Sequence, residues 1–178
     1  MKRNQVMGNQ QQKDAFIEML EQHRKLLFKV ASTYAKTEED RKDLIQEITL
    51  QLWRSFNKYD GRVKFSTWIY RIALNVSISS FRKEKKRYST SPLKEEIVIT
   101  LKDESFEERA EQVKQLYTFI GQLKVIDKGI MLLYLEDKSH EEIGVILGLS
   151  KSNVGTRISR IKKKLKDYFE LINKQHNV

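Results

Sequence analysis

Over residues 151–166 the chain carries seven basic side chains and no acidic one. Read as a helix, that stretch is about four turns of cationic surface. Its lysines suit phosphates, and the Arg, Asn, Ser and Thr among them suit the hydrogen-bonding edges of bases. A second set is Asp43, Gln46 and Glu47, whose three- and four-residue spacing puts two carboxylates and an amide on one helical flank. Read from spacing alone, such a flank is most often an ordinary solvated face with i,i+4 pairing. Catalytic chemistry, by contrast, lacks its parts. His23, His140 and His176 are isolated, cysteine is absent, and no glycine-rich phosphate cradle or nucleophile-base-acid set occurs. No catalytic residue, metal, cofactor or small-molecule substrate is expected, and the chain is not read as an enzyme.

The rest of the sequence says what must position these side chains. Lys and Arg number 34 against 24 Asp and Glu in 178 residues, a formal charge of +10 whose field attracts polyanions. With no cysteine there is no disulfide or thiolate zinc site. No run of about 18 apolar residues occurs, and the N-terminus lacks a signal-peptide core, so a cytoplasmic protein without membrane insertion is expected. One proline and seven glycines leave long stretches free to be helical, and apolar residues recur at steps of three and four. The expected class is all-α, built as two small helical domains on a flexible acidic linker. Residues 14–35 predict one or two amphipathic helices. Residues 40–59 predict another, with a broad buried stripe of Leu44, Ile45, Ile48, Leu52, Trp53 and Phe56 and with Asp60-Gly61 ending it. A further helix starts at Ser66 or Thr67 as N-cap and ends in a basic run at residues 82–87. Between residues 88 and 106 the periodicity fades around Pro92, and residues 94–111 hold seven acids against three bases. The apolar run 97–101 inside it is either a strand or a sticky patch that docks on a partner. Helical periodicity then resumes at Val113 and continues through residues 130–135.

Ser139 followed three residues later by Glu142 is a capping-box signature, with His140 as an exposed first-turn residue. The helix it starts turns Ile143, Ile146 and Leu147 inward and stops at Gly148. A second helix begins from Ser150 with Val154, Ile158, Ile161 and Leu165 on its apolar face. Gly144, four residues before the turn glycine, fits a close crossing of the two helices. This is helix-turn-helix grammar. A lysine-rich face alone is most often just solvated, but capping box, turn glycine, small Gly144 and basic second helix together specify DNA binding. Thr156 and Arg160 are the foremost base readers, with Lys151, Ser152, Asn153, Arg157, Ser159 and Lys163 around them.

Further motifs stand in the N-terminal half. Asp43-Leu44-Ile45-Gln46-Glu47, Leu52-Trp53 and the run from Lys64-Phe65-Ser66-Thr67-Trp68 to Leu74-Asn75 resemble region 2 of bacterial sigma factors, particularly the extracytoplasmic-function (ECF) group. The helix-turn-helix resembles their region 4. The resemblance implies a region 2 domain over residues 12–88, a linker over 89–107 and a region 4 domain over 108–172. It implies that Asp43, Gln46 and Glu47 engage core RNA polymerase, and that the helix-turn-helix reads the minus-35 duplex of promoter DNA. The minus-10 strand, unstacked, falls to Arg62 and Lys64 of the loop at 58–64, to Asn75 and Ser79, and to Arg82, Lys83, Lys86 and Arg87 near phosphates. Trp68, Tyr70 and Phe81 are either stacking platforms for bases or core, with core favoured for Trp68. The resemblance sends the linker toward the polymerase active-site channel and implies an anti-sigma protein as regulating partner. Two departures stand out. Gly155 replaces a basic residue that many relatives carry after the recognition-helix valine, and Trp68-Ile69-Tyr70 replaces the tandem aromatic wedge of primary sigma factors. They imply narrow minus-35 readout and weak intrinsic melting. The rival reading is a dimeric helix-turn-helix regulator acting without polymerase.

Overall fold

The computed structural model describes the backbone of residues 9–87 and 107–176 and the side chains of 10–84, 113–172 and 174. Eight helices and no strand occur among these residues. They are α1 (Asn9–Gln22), α2 (Arg24–Tyr34), α3 (Glu38–Phe56), α4 (Phe65–Arg87), α5 (Glu107–Gln122), α6 (Val125–Leu135), α7 (His140–Leu147) and α8 (Lys151–His176). The amphipathic stretch at 14–35 is two helices broken at His23, whose ring nitrogen Nδ1 lies 3.0 Å from the Met19 carbonyl oxygen. α3 starts from a capping box that the sequence reading missed: the Thr37 hydroxyl accepts from the Asp40 N–H, and the Asp40 carboxylate accepts from the Thr37 N–H. α4 starts two or three residues earlier than expected. The Trp68 N–H donates to the Lys64 carbonyl at 3.1 Å, so Ser66 and Thr67 sit in the first turn and neither is the N-cap. Phe65 is drawn into the helix by its stack on Trp68 and its edge contact with Tyr59. The expected linker, its run at 97–101 included, lies outside the described residues, except that Glu107 opens α5.

The first four helices pack around Leu27, Val30, Ile48, Leu52, Ile69 and Leu74, and the last four around Ile130, Leu133, Ile143, Ile146 and Val154. These two sets form one continuous core. The halves meet where α2 and α4 pack on α6 and α7. There the Tyr34 hydroxyl donates to the Val125 carbonyl at 3.0 Å, and Arg71 donates to the Val145 carbonyl at 3.1 Å. Glu136 accepts from Lys29 and, at 3.4 Å, from the Tyr70 hydroxyl. Burial first, and the Glu136 charge second, push the Tyr70 phenol well above its ordinary pKa. Burial does the same to Tyr34. The ammonium of buried Lys128 lies 4.6 Å from the centre of the Phe81 ring.

The helix-turn-helix is set by local backbone chemistry. The Ser139 hydroxyl accepts from the Glu142 N–H at 3.2 Å while the Glu142 carboxylate accepts from the Ser139 N–H at 2.9 Å. Gly148 takes a left-handed conformation, φ 69°, and the N–H groups of Gly148 and Leu149 both donate to the Gly144 carbonyl. The chain thereby folds back over Gly144, where an added Cβ would lie 2.5 Å from the Leu149 carbonyl oxygen. Ser150 then caps α8, its hydroxyl accepting from the Asn153 N–H.

Gly144→Ala is therefore expected to lower the unfolding free energy by about 2 kcal/mol or more, because the obstructing atom is backbone and cannot swing aside. Gly155→Ala is its control. A Cβ there would be 3.4 Å from the nearest His140 ring atom, an ordinary contact, and the helix propensity gained is up to about 1 kcal/mol. Urea midpoints separate the two, and equal shifts would refute the assignment. A second prediction concerns acid. Hydrogen bonds from Ser139 hold the Glu142 carboxyl below its ordinary pKa. A depressed folded-state pKa contributes stability that is present above the unfolded value, about 4.3, and is lost as pH falls through the folded one. The advantage of the wild type over Glu142→Gln should thus be full at neutral pH and shrink below that value. A pH-independent difference would show that the carboxylate's charge contributes nothing.

Candidate nucleic-acid interface

Three surfaces carry the residues singled out above. On α8 the buried stripe is Val154, Ile158 and Ile161. The other faces leave Lys151, Ser152, Asn153, Thr156, Ser159, Arg160 and Lys163 exposed. Several of these are ordered by short-range bonds. The Thr156 hydroxyl donates to the Ser152 carbonyl at 2.9 Å, and Lys151 lies 3.6 Å from the Glu141 carboxylate. Arg160 and Lys163 have no partner among the described residues and present free cationic heads.

Arg157 is different. Its guanidinium donates to Asp127 of α6 at 2.7 Å, and its Nε donates to the Asn153 side chain at 2.9 Å. Asp127 is mostly buried there, its side chain 16% exposed. Arg157 thus pins α8 to α6 and is spent as a structural cation in this arrangement, which also occupies the Asn153 oxygen. Lys162 is likewise tied back, its ammonium over the Tyr134 ring and 2.6 Å from its hydroxyl. Gly155 faces His140, and His140 is half-buried and not exposed as expected.

The second surface is the loop before α4 and the outer strip of that helix. An aromatic cluster of Phe16, Trp53, Phe56, Tyr59, Phe65 and Trp68 anchors the loop. The Tyr59 hydroxyl donates to the Val63 carbonyl at 2.7 Å, Gly61 adopts φ 74°, and the Arg62 N–H donates to Asp60. Arg62 and Lys64 are exposed, Arg62 also pairing with the Asp60 carboxylate at 3.0 Å. Asn75, Ser79, Arg82 and Lys83 are exposed along α4. The strip continues upward in Arg71, which the sequence reading passed over and which here holds the Val145 carbonyl. Lys86 and Arg87 stand in the last turn of α4, with side chains outside the described residues. Tyr70 is 3% exposed and is core, no stacking platform. Trp68 is partly buried against the core, and so is Phe81.

The third surface is the flank of α3, where Asp43, Gln46 and Glu47 are all exposed opposite Leu44, Ile48 and Leu52. No ion pair among the described residues engages the two carboxylates. The fold brings Asp43 next to Gln46 and Glu47 on α3, and Thr156 next to Arg160 on α8. Two bases of the second surface reach the helix-turn-helix, Arg71 through its bond to the Val145 carbonyl and Lys64 through its charge on Glu142. No group of acids and histidines among the described residues is arranged to hold a metal ion, and no helix among them is long and apolar enough to cross a membrane.

Comparison with known proteins agrees in order and extent with these halves. The family described as Sigma-70 region 2 matches residues 19–87, and that described as Sigma-70, region 4 matches residues 114–165. A Bacillus subtilis relative, the ECF RNA polymerase sigma factor SigW, is 30% identical over 172 residues, covering 86% of this chain and 90% of the relative. Another from that bacterium, the ECF RNA polymerase sigma factor SigX, is 23% identical, with 79% and 76% covered. Among solved structures, the sigma factor RpoE in complex with the anti-sigma factor NepR from Bartonella quintana shares the fold with a TM-score of 0.73 at 18% identity, over 88% of this chain and 97% of that one. CnrH, solved in complex with the cytosolic domain of CnrY, gives 0.64 at 23% identity, over 92% and 91%. Two region matches in the right order, and a relative aligned over nearly its whole length, establish that this chain belongs to the ECF sigma factors of RNA polymerase.

Proposed function

We propose that the chain directs core RNA polymerase to specific promoters through the three surfaces in turn. Asp43, Gln46 and Glu47 dock on the polymerase. The α8 face of Lys151, Ser152, Asn153, Thr156, Ser159, Arg160 and Lys163 reads the minus-35 duplex. Arg62, Lys64, Asn75, Ser79, Arg82, Lys83, Lys86 and Arg87 hold the opened minus-10 strand, Arg71 extending their strip. The observation that carries this reading is the α7–α8 pair, in which capping box, left-handed Gly148 and close crossing at Gly144 set a basic helix outward. Arg157 reads DNA only if its bond to Asp127 opens, so its first role is positional.

The proposed divisions are residues 12–88 as the region 2 domain, 108–172 as the region 4 domain and 89–107 as the acidic linker between them; the two family matches, 19–87 and 114–165, fall inside the two domains. The family is a transcription initiation factor, and this chain, with no catalytic set, acts without being an enzyme itself. It works in the cytoplasm, where its polymerase is. An anti-sigma protein is the regulating partner, a proposal supported by the anti-sigma complexes in which a structural neighbour is solved.

Run-off transcription from the promoter upstream of its own gene tests the whole. Added core polymerase should transcribe only with this protein, and Gln46→Ala with Glu47→Ala together should reduce the product. A protein that ignores core and shifts the promoter alone as a dimer would replace this reading with the regulator. Within α8, Arg160→Ala should weaken promoter binding by roughly 5- to 150-fold, the effect of about 1–3 kcal/mol for a base contact, at unchanged stability. Arg157→Ala should instead lower stability, by about 1 kcal/mol given its partial exposure, and Asp127→Ala should add little more on top. Additive losses from Arg157 and Asp127 in a double-mutant cycle would contradict their pairing.

A further inference from the structure

One surface is used by none of these roles. A groove of about 520 Å³ runs between α2, the start of α3, α5 and α6. Its floor is apolar: Phe28 and Leu135 stand 47% and 43% exposed in it, beside the buried Ile120 and Leu132. Its rim is cationic, with Arg24, Lys25, Lys29, Lys36 and Arg41 against the single acid Glu136. In its wall the Ser32 hydroxyl, sealed from solvent, has no hydrogen-bond partner among the described residues. An apolar floor and a basic rim together fit an extended, acid-flanked apolar segment, whose side chains fill the floor and whose carboxylates meet the rim.

The chain owns such a segment. Residues 95–104 place Glu95 and Glu96 before, and Asp103 and Glu104 after, the run Ile97-Val98-Ile99-Thr100-Leu101. Four of these five are β-branched, which favours extended backbone. Extension puts Ile97, Ile99 and Leu101 on one side over roughly 13 Å. The α4 end of the tether also lies at the groove. The Lys36–Glu84 ion pair, 3.4 Å, sets the last turn of α4 beside a rim residue. At the other end, α5 begins ten residues before its groove-lining Tyr117, about 15 Å of helix away. The seven Cα-to-Cα steps from Arg87 to Lys94 span up to roughly 24 Å, enough to enter from the α4 side. We propose that residues 95–104 dock in this groove in the free protein, Ile97, Ile99 and Leu101 on the apolar floor and the four carboxylates on the basic rim. The tether gives the segment an effective concentration in the millimolar range, an advantage that a separate acidic peptide or a second copy of the chain lacks.

The natural absence of cysteine makes the test direct. Leu135→Cys places one thiol on the groove floor of the full chain, and its alkylation rate by a maleimide reports cover. Replacing Ile97, Ile99 and Leu101 by Asp should raise that rate about tenfold, taking a millimolar tether against a segment affinity of about 0.1 mM. Replacing Val98 and Thr100 by Asp, on the other side of the extended segment, should leave it low. A thiol at Val145→Cys, outside the groove but at the contact between the halves, should react equally in all three backgrounds. Were it to quicken with Leu135→Cys, the variants would be separating the halves and the proposal would fail. Equal alkylation of Leu135→Cys in all backgrounds would show that the segment does not cover the groove. Protection that fades on dilution would assign the groove to a second copy instead.

Discussion

The structure depends on the enclosure of α6. Six consecutive residues, Lys128 through Leu133, are buried, so this helix is covered on every side and not along one stripe. A helix apolar all round is stable only with neighbours all round, and here α2 and α4 cover one side while α5, α7 and α8 cover the other. Gly129 marks how close the approach is: an added Cβ would lie 2.9 Å from the Tyr34 hydroxyl, with Leu74 and Leu147 also within 4 Å. Polar groups close this contact at its margins, through Tyr34 to the Val125 carbonyl and through Lys29 and Tyr70 to Glu136. The same helix supplies Asp127, which fixes Arg157 and with it the orientation of the recognition helix. Core, contact between halves and DNA-reading face thus share one element.

How much of this was legible in the sequence varies with the range of the interaction responsible. The α7–α8 unit was readable almost residue by residue, because a capping box, a left-handed glycine and a small crossing residue act within ten positions of one another. Helical spacing put Asp43, Gln46 and Glu47 on one flank, but only the family resemblance singled that flank out from an ordinary solvated face. Arg157 illustrates the limit. Its type and place on α8 suit a phosphate or a guanine, and only the fold brings Asp127 from thirty residues away to claim it. Tyr70 is similar, an aromatic in a promising motif that the fold buries against Glu136. The all-round apolar character of residues 130–133 was visible, but what covers them is a matter of tertiary contact between distant segments. The family resemblance supplied the roles; local physics alone reached only a DNA-binding helix-turn-helix and an acidic flank.

Sigma function then places a demand that this packed arrangement does not meet. Promoter elements named for positions 35 and 10 lie about 25 base pairs apart, roughly 85 Å of duplex at about 3.4 Å per base pair. A compact chain of this length has a radius of gyration of about 16 Å, and α7 here rests directly on α4. Reading both elements at once therefore requires the halves to part, exposing Tyr34, Leu74 and the facing side of α6. The nineteen residues from 88 to 106 span at most roughly 65 Å when extended, which together with the halves' own dimensions is enough to bridge the two elements.

Parting exposes apolar surface at about 25 cal/mol per Å², so a few hundred square ångströms sets a free-energy difference of several kcal/mol between packed and parted states. Nothing in DNA alone would replace that contact, since the basic faces of α8 and α4 are already exposed in the packed chain. Polymerase does differ between the states if it holds the two halves on separate surfaces, and binding energy spent on both is what stabilises the parted form. The exposed acidic flank of α3 lies clear of the contact between the halves, so first engagement can occur on the packed chain, and separation can follow it. On the proposed roles, promoter specificity is coupled to core binding by the fold itself: each basic face exists beforehand, but the spacing between them does not exist until a partner holds α6 and α4 apart.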